Sequence, residues 1–184
     1  MTDASIVLIT SACDFAARRH VGQRRKGDAG EPYVNHLAEV AQLLARATEG
    51  DAVLVAAGYL HDTLEDTATT YEELVDLFGP EIAALVAEVT DDKSLPKAER
   101  KRLQIAKAPS KSVRARLLKL ADKTSNLRAL VTSPPTGWDR ARVADYIEWA
   151  EKVVAGCRGL NALLEQAFDA AAAQAREAVA GRAA

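Results

Sequence analysis

The sequence predicts an all-α fold, a helical bundle of about eight to ten helices. Apolar residues recur at helical spacing along nearly the whole chain, and the short β-branched alternations typical of strands are missing. The length of 184 residues suits one domain, which would bury roughly 70% of the surface that the unfolded chain exposes. We therefore predict a single domain over residues 1–184, with its core at about 5–165 and an Ala-rich helix or tail at about 166–184.

The first half of the chain predicts three helices and one long polar loop. A helix over about residues 4–20 stops before the Gly-, Lys- and Asp-rich stretch 22–32, which we expect to be a loop. A second helix begins near His36. The segment 51–62 starts with Asp51 as an N-cap and continues with an apolar run, which predicts a buried central helix.

The second half predicts shorter helices with marked ends. Thr70 and Glu73 have the spacing of a capping box, and this helix should stop at the Gly79-Pro80 pair. The last segment, at 170–184, has high helix propensity but little that could pack against a core. Between these lie further predicted helices at 80–89, 96–107, 112–132 and 138–155, and a last one from about Leu160.

Composition narrows the functional class. Hydrophobic residues make up 48% and charged residues 27%, and no stretch approaches the roughly 20 apolar residues that a membrane span needs. The start of the chain lacks the basic flank of a secretory signal, so we expect a cytoplasmic protein. The net charge of -2 and the lack of a continuous basic recognition helix argue against nucleic-acid binding. Oligomeric state is left open.

A His-Asp pair ends the predicted central helix. Placing the imidazole of His61 and the carboxylate of Asp62 after an apolar run costs several kcal/mol of desolvation unless a partner compensates, and a divalent cation would do so. Taken alone, the pair is more typical of a buried structural histidine beside a helix-terminal aspartate than of a metal site. Glu65 lies four residues after His61, and Asp66 lies four residues after Asp62. The three neighbouring carboxylates, those of Asp62, Glu65 and Asp66, repel one another unless a cation or arginine is near.

Further candidate ligands lie at a distance in the sequence. His36 begins a helix, and Asp122 interrupts an otherwise apolar helix, where aspartate is unfavourable. Asn126 follows one turn later on the same face. The set of metal-ligand candidates is a mixture of imidazoles and carboxylates that suits Mn²⁺, Fe²⁺ or Zn²⁺: His36, His61, Asp62 and Asp122.

The polar loop carries a run of cations, Arg24, Arg25 and Lys26. Planar guanidiniums stack on bases and grip phosphates, so the run would suit a nucleotide. A solvated basic loop is the alternative, because charge runs often have no specific ligand.

In this order, His…His-Asp…Asp, the residues resemble the HD superfamily of metal-dependent phosphohydrolases. The short sequence motifs around these residues are more specific, and they include residues 23–26, 61–67, 88–93 and 119–123. They resemble the hydrolase domain of the RelA/SpoT alarmone proteins, and most closely the stand-alone small alarmone hydrolases of the metazoan SpoT-homologue type. The resemblance covers about residues 5–165.

This resemblance implies a role for each matching residue. The ligand candidates would hold one Mn²⁺ ion, with Zn²⁺ or Fe²⁺ as alternatives, and Glu65 and Asp66 would handle the attacking water. The loop would lie against the base and phosphates, and two further positions would line the nucleotide pocket. These substrate-binding positions are Arg24, Arg25, Lys26, Asn126 and Tyr146.

The implied reaction is hydrolysis of the 3′-pyrophosphate of (p)ppGpp to GDP or GTP and pyrophosphate. An NADPH phosphatase or another nucleotide phosphohydrolase is the first alternative, and a non-catalytic nucleotide sensor is the second. The chain departs from the family pattern at Leu37, where relatives often have proline, and at Thr124-Ser125, where a bulkier pair is common. We expect neither departure to touch a metal ligand, although the second could reshape the pocket and so change substrate preference.

Overall fold

A computed structural model of the chain describes residues 2–181. Within this range the fold is all-α, as predicted, and no described helix has both the length and the apolar character required of a membrane span. Besides one 3-10 turn (Ala108–Ser110), the described chain forms α1 (Asp3–Arg19), α2 (Val34–Ala47), α3 (Ala52–Leu60), α4 (Thr63–Asp66), α5 (Tyr71–Phe78), α6 (Pro80–Val89), α7 (Lys97–Lys107), α8 (Val113–Thr132), α9 (Arg140–Ala155) and α10 (Ala162–Gly181).

Two helices occupy the centre of the bundle, α3 and α8. The carboxylate of Asp51 caps α3 by accepting a hydrogen bond from the backbone N–H of Leu54 at 3.1 Å. Helix α3 is apolar on nearly every side and packs against α1, α2 and α6, as expected of a helix without a polar face. Residues 117–125 of α8 are all buried although several are polar, because α2, α6, α9 and α10 surround this helix.

The Ala-rich end of the chain packs differently from the prediction. Helix α10 lies along α8, with Phe168, Ala171, Ala172 and Ala175 buried in the core. The expectation that residues 170–184 have little to pack is wrong over 170–175, because small alanine side chains allow two helices to approach closely. The remaining tail, 182–184, lies outside the described residues, and the division into one domain stays a prediction.

Two predicted helix boundaries also move. Helix α9 starts at Arg140 instead of Trp138, because the Asp139 carboxylate accepts from the backbone N–H of Arg142 at 2.8 Å. The predicted central helix stops at Leu60, and a new short helix begins after Asp62. This interruption has a direct consequence for the site.

Candidate functional site

Three predicted ligands meet at the break between α3 and α4. His36 belongs to the first turn of α2, His61 follows the last residue of α3, and Asp62 precedes the first residue of α4. Their ligand atoms all lie within 4.8 Å of one another. Consecutive residues of an unbroken α-helix point about 100° apart. Asp62 has φ -101° and ψ 0°, and the break leaves its Oδ2 3.0 Å from Nε2 of His61 and 3.7 Å from Nε2 of His36.

Helix α8 brings the fourth predicted ligand to the same point. Oδ1 of Asp122 lies 3.4 Å from Nε2 of His36 and 4.0 Å from Nε2 of His61. Two ligand atoms that are each about 2.1 Å from a shared ion are roughly 3–4 Å apart. The spacing therefore fits a mixed nitrogen and oxygen site for a divalent metal ion.

The protonation of His61 supports this interpretation. Nδ1 of His61 lies 2.8 Å from the backbone carbonyl of Gly58, which can only accept, so Nδ1 carries the proton. In the neutral form of this imidazole, Nε2 is an unprotonated nitrogen directed at the cluster, and it is buried without a hydrogen-bond partner of adequate geometry. Leaving such an atom unpaired is costly. A bound cation satisfies it.

Neighbouring donors hold the two carboxylates in place. The hydroxyl of Tyr33 donates to Oδ2 of Asp62 at 2.6 Å, and the amide of Asn126 donates to Oδ1 of Asp122, also at 2.6 Å. The ammonium of Lys123, itself buried, lies 2.9 Å from Oδ2 of Asp122. Burial alone would raise the pKa of Asp122, but Lys123 and the two imidazoles outweigh it and hold this pKa well below its usual range.

Opposed electrostatic influences act on the imidazoles. Burial lowers the pKa of His36, and the positive charge of its neighbours lowers it further. Burial also opposes protonation of His61, but the adjacent Asp62 carboxylate prevails and raises the pKa of His61 to about 9. These pKa values belong to the cluster without an ion. The carboxylates thus attract a positive charge to this point, and either a proton or a metal ion can supply it.

Glu65 and Asp66 lie beside the cluster in unlike surroundings. Oε2 of Glu65 accepts a hydrogen bond from the backbone N–H of Asp91 at 3.2 Å, and Oε1 lies 3.6 Å from the guanidinium of Arg100. Burial raises the pKa of Glu65, and the nearby carboxylates raise it further. Asp66 instead accepts two hydrogen bonds, from the Gln23 amide at 2.9 Å and from the Lys93 ammonium at 2.5 Å. Glu65 and Asp66, to which the sequence alone assigns one shared role, therefore differ in their hydrogen-bond partners and in their electrostatic surroundings.

A cavity of about 230 Å³ lies beside the cluster, and every predicted substrate-binding residue lines it. It adjoins a smaller cavity of about 150 Å³ that His61, Asp62 and Asp122 line, and the two cavities share Tyr33, Asp66 and Asn126. Arg25 connects them by donating to Oδ1 of Asn126 at 3.1 Å. The predicted substrate-binding residues that surround the larger cavity are Arg24, Arg25, Lys26, Asn126 and Tyr146.

A third cavity, of about 450 Å³, continues between α7 and α9. Tyr146 separates it from the first cavity and lies between Trp138 and Trp149, with ring centroids 5.6 and 5.2 Å away. The lining of the third cavity combines five basic residues with three carboxylates, namely Lys26, Lys97, Arg100, Lys101 and Arg142 with Glu65, Asp91 and Asp145. Burial lowers the pKa of Lys97, and the neighbouring cations lower it further. Concentrated positive charge on both sides of Tyr146 favours a ligand with more than one anionic group.

The HD domain family model matches residues 12–148, a span that includes all four predicted metal ligands. The chain belongs to the HD domain family. An HD domain implies a bound divalent metal ion, and His36, His61 and Asp62 form a possible site for it.

Three proteins similar to this chain each cover between 70% and 89% of its length. A human protein named guanosine-3′,5′-bis(diphosphate) 3′-pyrophosphohydrolase MESH1 is 52% identical over 161 residues, which are 87% of this chain and 90% of the human one. A solved structure described as a metazoan orthologue of SpoT that hydrolyses ppGpp superposes with a TM-score of 0.86 at 47% identity, covering 89% of this chain and 93% of the other. A GTP pyrophosphokinase of Myxococcus xanthus is 41% identical over 137 residues, 70% of this chain but 18% of that protein.

Several residues of this HD domain site were not predicted. Gln23 holds Asp66, and Tyr33 holds Asp62, although the sequence analysis gave neither residue a role of its own. Ser125 corrects an expectation, because its hydroxyl lies 2.8 Å from Nδ1 of the metal-ligand candidate His36. The departure from the family pattern at Thr124-Ser125 therefore does touch a ligand. A hydroxyl in a buried helix gives no sequence signal of the partner that another helix brings to it.

Proposed function

We propose that this chain is a Mn²⁺-dependent phosphohydrolase that removes the 3′-pyrophosphate of (p)ppGpp, giving GDP or GTP and pyrophosphate. The observation that carries the proposal is the four-ligand cluster at the junction of cavities with cationic walls. A substrate with pyrophosphates at both ends of its ribose suits two separate basic regions. The similarity to proteins named as pyrophosphohydrolases of this compound supports the choice of substrate.

The donor set supports Mn²⁺ as the ion. Carboxylates suit Mg²⁺ and Mn²⁺ while imidazoles suit Zn²⁺ and Fe²⁺, so His36, His61, Asp62 and Asp122 form an intermediate set that Mn²⁺ matches. When bound, the ion would polarise phosphoryl oxygens and make water a stronger nucleophile near neutral pH.

We assign the acid-base role to Glu65. A water oxygen attacks the phosphorus attached to the ribose 3′ oxygen, the bond between this phosphorus and the 3′ oxygen breaks, and the displaced 3′ oxygen takes up the proton that Glu65 has removed from the water. The attacking water loses its proton to Glu65, whose raised pKa suits a base that works near neutral pH. Asp66, which Gln23 and Lys93 fix as an acceptor, orients the water and anchors the basic loop.

The cations bind the rest of the substrate in this proposal. Arg24 and Arg25 offer flat guanidiniums for the purine and for phosphate oxygens, and Lys26 adds a charge between two cavities. Tyr146 and Asn126 confine the ribose beside the metal centre. The third cavity then accepts the pyrophosphate at the end of the ribose that is not cleaved.

A substrate and metal panel tests the proposal. Purified protein is stripped of metal with a chelator, reloaded with Mn²⁺, Zn²⁺, Fe²⁺ or Mg²⁺, and supplied with ppGpp, pppGpp, NADPH or deoxynucleoside triphosphates. We expect the fastest turnover with Mn²⁺ and ppGpp or pppGpp, and release of intact pyrophosphate instead of single phosphates. Fast turnover of NADPH with none of ppGpp would establish the alternative phosphatase, and tight ppGpp binding without turnover would establish a sensor.

A further inference from the structure

We propose that Ser125 is a positioning residue that joins His36 to the carboxylate of Glu39 and thereby fixes which imidazole nitrogen faces the metal. The inference rests on the proposed metal centre. It concerns a contact between side chains of this protein, in which neither the metal nor the substrate takes part.

The contacts form a continuous chain between α2 and α8. Nδ1 of His36 lies 2.8 Å from the hydroxyl of Ser125, and this hydroxyl lies 2.7 Å from Oε2 of Glu39. The guanidinium of Arg128 donates to the other carboxylate oxygen, Oε1 of Glu39, at 2.9 Å. His36 and Ser125 are buried, whereas Glu39 and Arg128 reach the surface.

The hydrogen positions follow from the chemistry of these groups. The Glu39 carboxylate, paired with an arginine, only accepts hydrogen bonds, so the single hydroxyl hydrogen of Ser125 is directed at it. The lone pair left on that hydroxyl can only accept, which requires a proton on Nδ1 of His36. Nε2 is then unprotonated and faces the two carboxylates of the cluster, as a metal ligand must.

The second imidazole of the site provides an internal comparison. His61 obtains the same tautomer from the backbone carbonyl of Gly58, which a side-chain substitution leaves in place. His36 depends instead on a side chain, and without the hydroxyl its buried Nδ1 proton has no acceptor. Hydrogen-bond partners of metal-bound histidines typically change metal affinity by 10–100-fold. Ser125→Ala should therefore weaken the metal centre.

The test compares Mn²⁺ affinity, measured by competition with a chelator at fixed pH, among matched variants. We expect Ser125→Ala to weaken Mn²⁺ binding by about 10–100-fold. Ser125→Thr keeps a hydroxyl and should stay within about threefold of the original affinity, while Glu39→Gln should lose about tenfold because the amide no longer fixes the hydroxyl hydrogen. Thr124→Val is the control, because Thr124 is equally buried but donates only to the Leu120 carbonyl of its own helix.

Two further readouts separate positioning from folding and from the proposed function. Melting curves of the metal-free variants show whether Ser125→Ala is folded. If it is not, the Mn²⁺ affinity of Glu39→Gln, at the more exposed end of the His36–Ser125–Glu39 series, tests the inference instead. Imidazole ¹⁵N spectra of the metal-free protein should show His36 protonated at Nδ1, and a mixture of tautomers in Ser125→Ala. If the unmodified protein bound no Mn²⁺, the proposed function would fail, but these spectra would still show whether Ser125 fixes the tautomer of His36. Unchanged Mn²⁺ affinity in Ser125→Ala, or an equal loss in Ser125→Thr, would overturn the inference.

Discussion

Glu65 and Asp66 should fail in different ways when each is replaced by its amide. Glu65→Gln keeps the acceptor for the Asp91 backbone N–H but cannot take a proton, so we expect kcat to fall by about 10²–10⁴, or about 3–5 kcal/mol in activation free energy, with little change in KM. Asp66→Asn loses the charge that holds Lys93 and Gln23. A charge-assisted hydrogen bond contributes about 1.5 kcal/mol or more, which predicts roughly a tenfold rise in KM through the loosened basic loop.

Steady-state pyrophosphate release from ppGpp at saturating Mn²⁺ measures both constants. The pH dependence adds a second criterion, because Glu65 acts only when ionised and its pKa is raised by burial. The kcat profile of the original enzyme should therefore show an acid limb, and Glu65→Gln should lack it. A kcat for Glu65→Gln within tenfold of the unmodified enzyme would refute its assignment as the base, and equal KM effects of the two variants would refute the division of roles.

Three predictions concern stability, each measured on metal-free protein. Glu65→Gln removes a carboxyl group whose pKa is higher in the folded state than in the unfolded chain. Such a group lowers stability progressively as pH rises from its unfolded pKa to its folded pKa, so the melting temperature of the variant relative to the original should rise between pH 4 and pH 7; a constant difference would contradict this. Gly58→Ala would put a Cβ 2.9 Å from Cδ1 of Leu44, so urea unfolding should show a free energy of unfolding lower by about 1–3 kcal/mol. An unchanged free energy of unfolding would contradict this and would mean that the Leu44 side chain moves aside. Phe168→Ala should cost about 3–5 kcal/mol because this ring is fully buried, whereas Leu163→Ala on the exposed side of α10, at 62% exposure, should change stability by about 0.5 kcal/mol or less. Equal effects of the last two would show that α10 does not pack on the core.

The sequence was most informative where a polar residue interrupts an apolar pattern. His61 and Asp62 come directly after a buried helix and Asp122 lies within one, so all three are recognisable from the sequence alone. Helix ends were predictable at Asp51, whose cap is local. Such signals need only neighbouring residues, because desolvation cost and capping depend on the immediate surroundings.

Contacts between distant segments gave no comparable signal. The difference between Glu65 and Asp66 arises from Asp91 and Lys93, which come from the connection between α6 and α7 and are placed only by the tertiary fold. Ser125 likewise acquires its role from α2, 86 and 89 residues away in the chain. The buried alanines of α10 were missed because hydrophobicity patterns weight large side chains, whereas alanine contributes to packing through its small size.

The enclosure of α8 separates what can be altered in this enzyme from what cannot. Residues 117–123 are buried on every side of the helix, so a larger side chain there would disturb the core around the metal-ligand candidate Asp122. The loop at 22–32, α7 and the start of α9 border the cavities and have room to vary. A library aimed at new nucleotide substrates should therefore diversify those three segments and leave α8 constant, so that changes in selectivity come without loss of the metal.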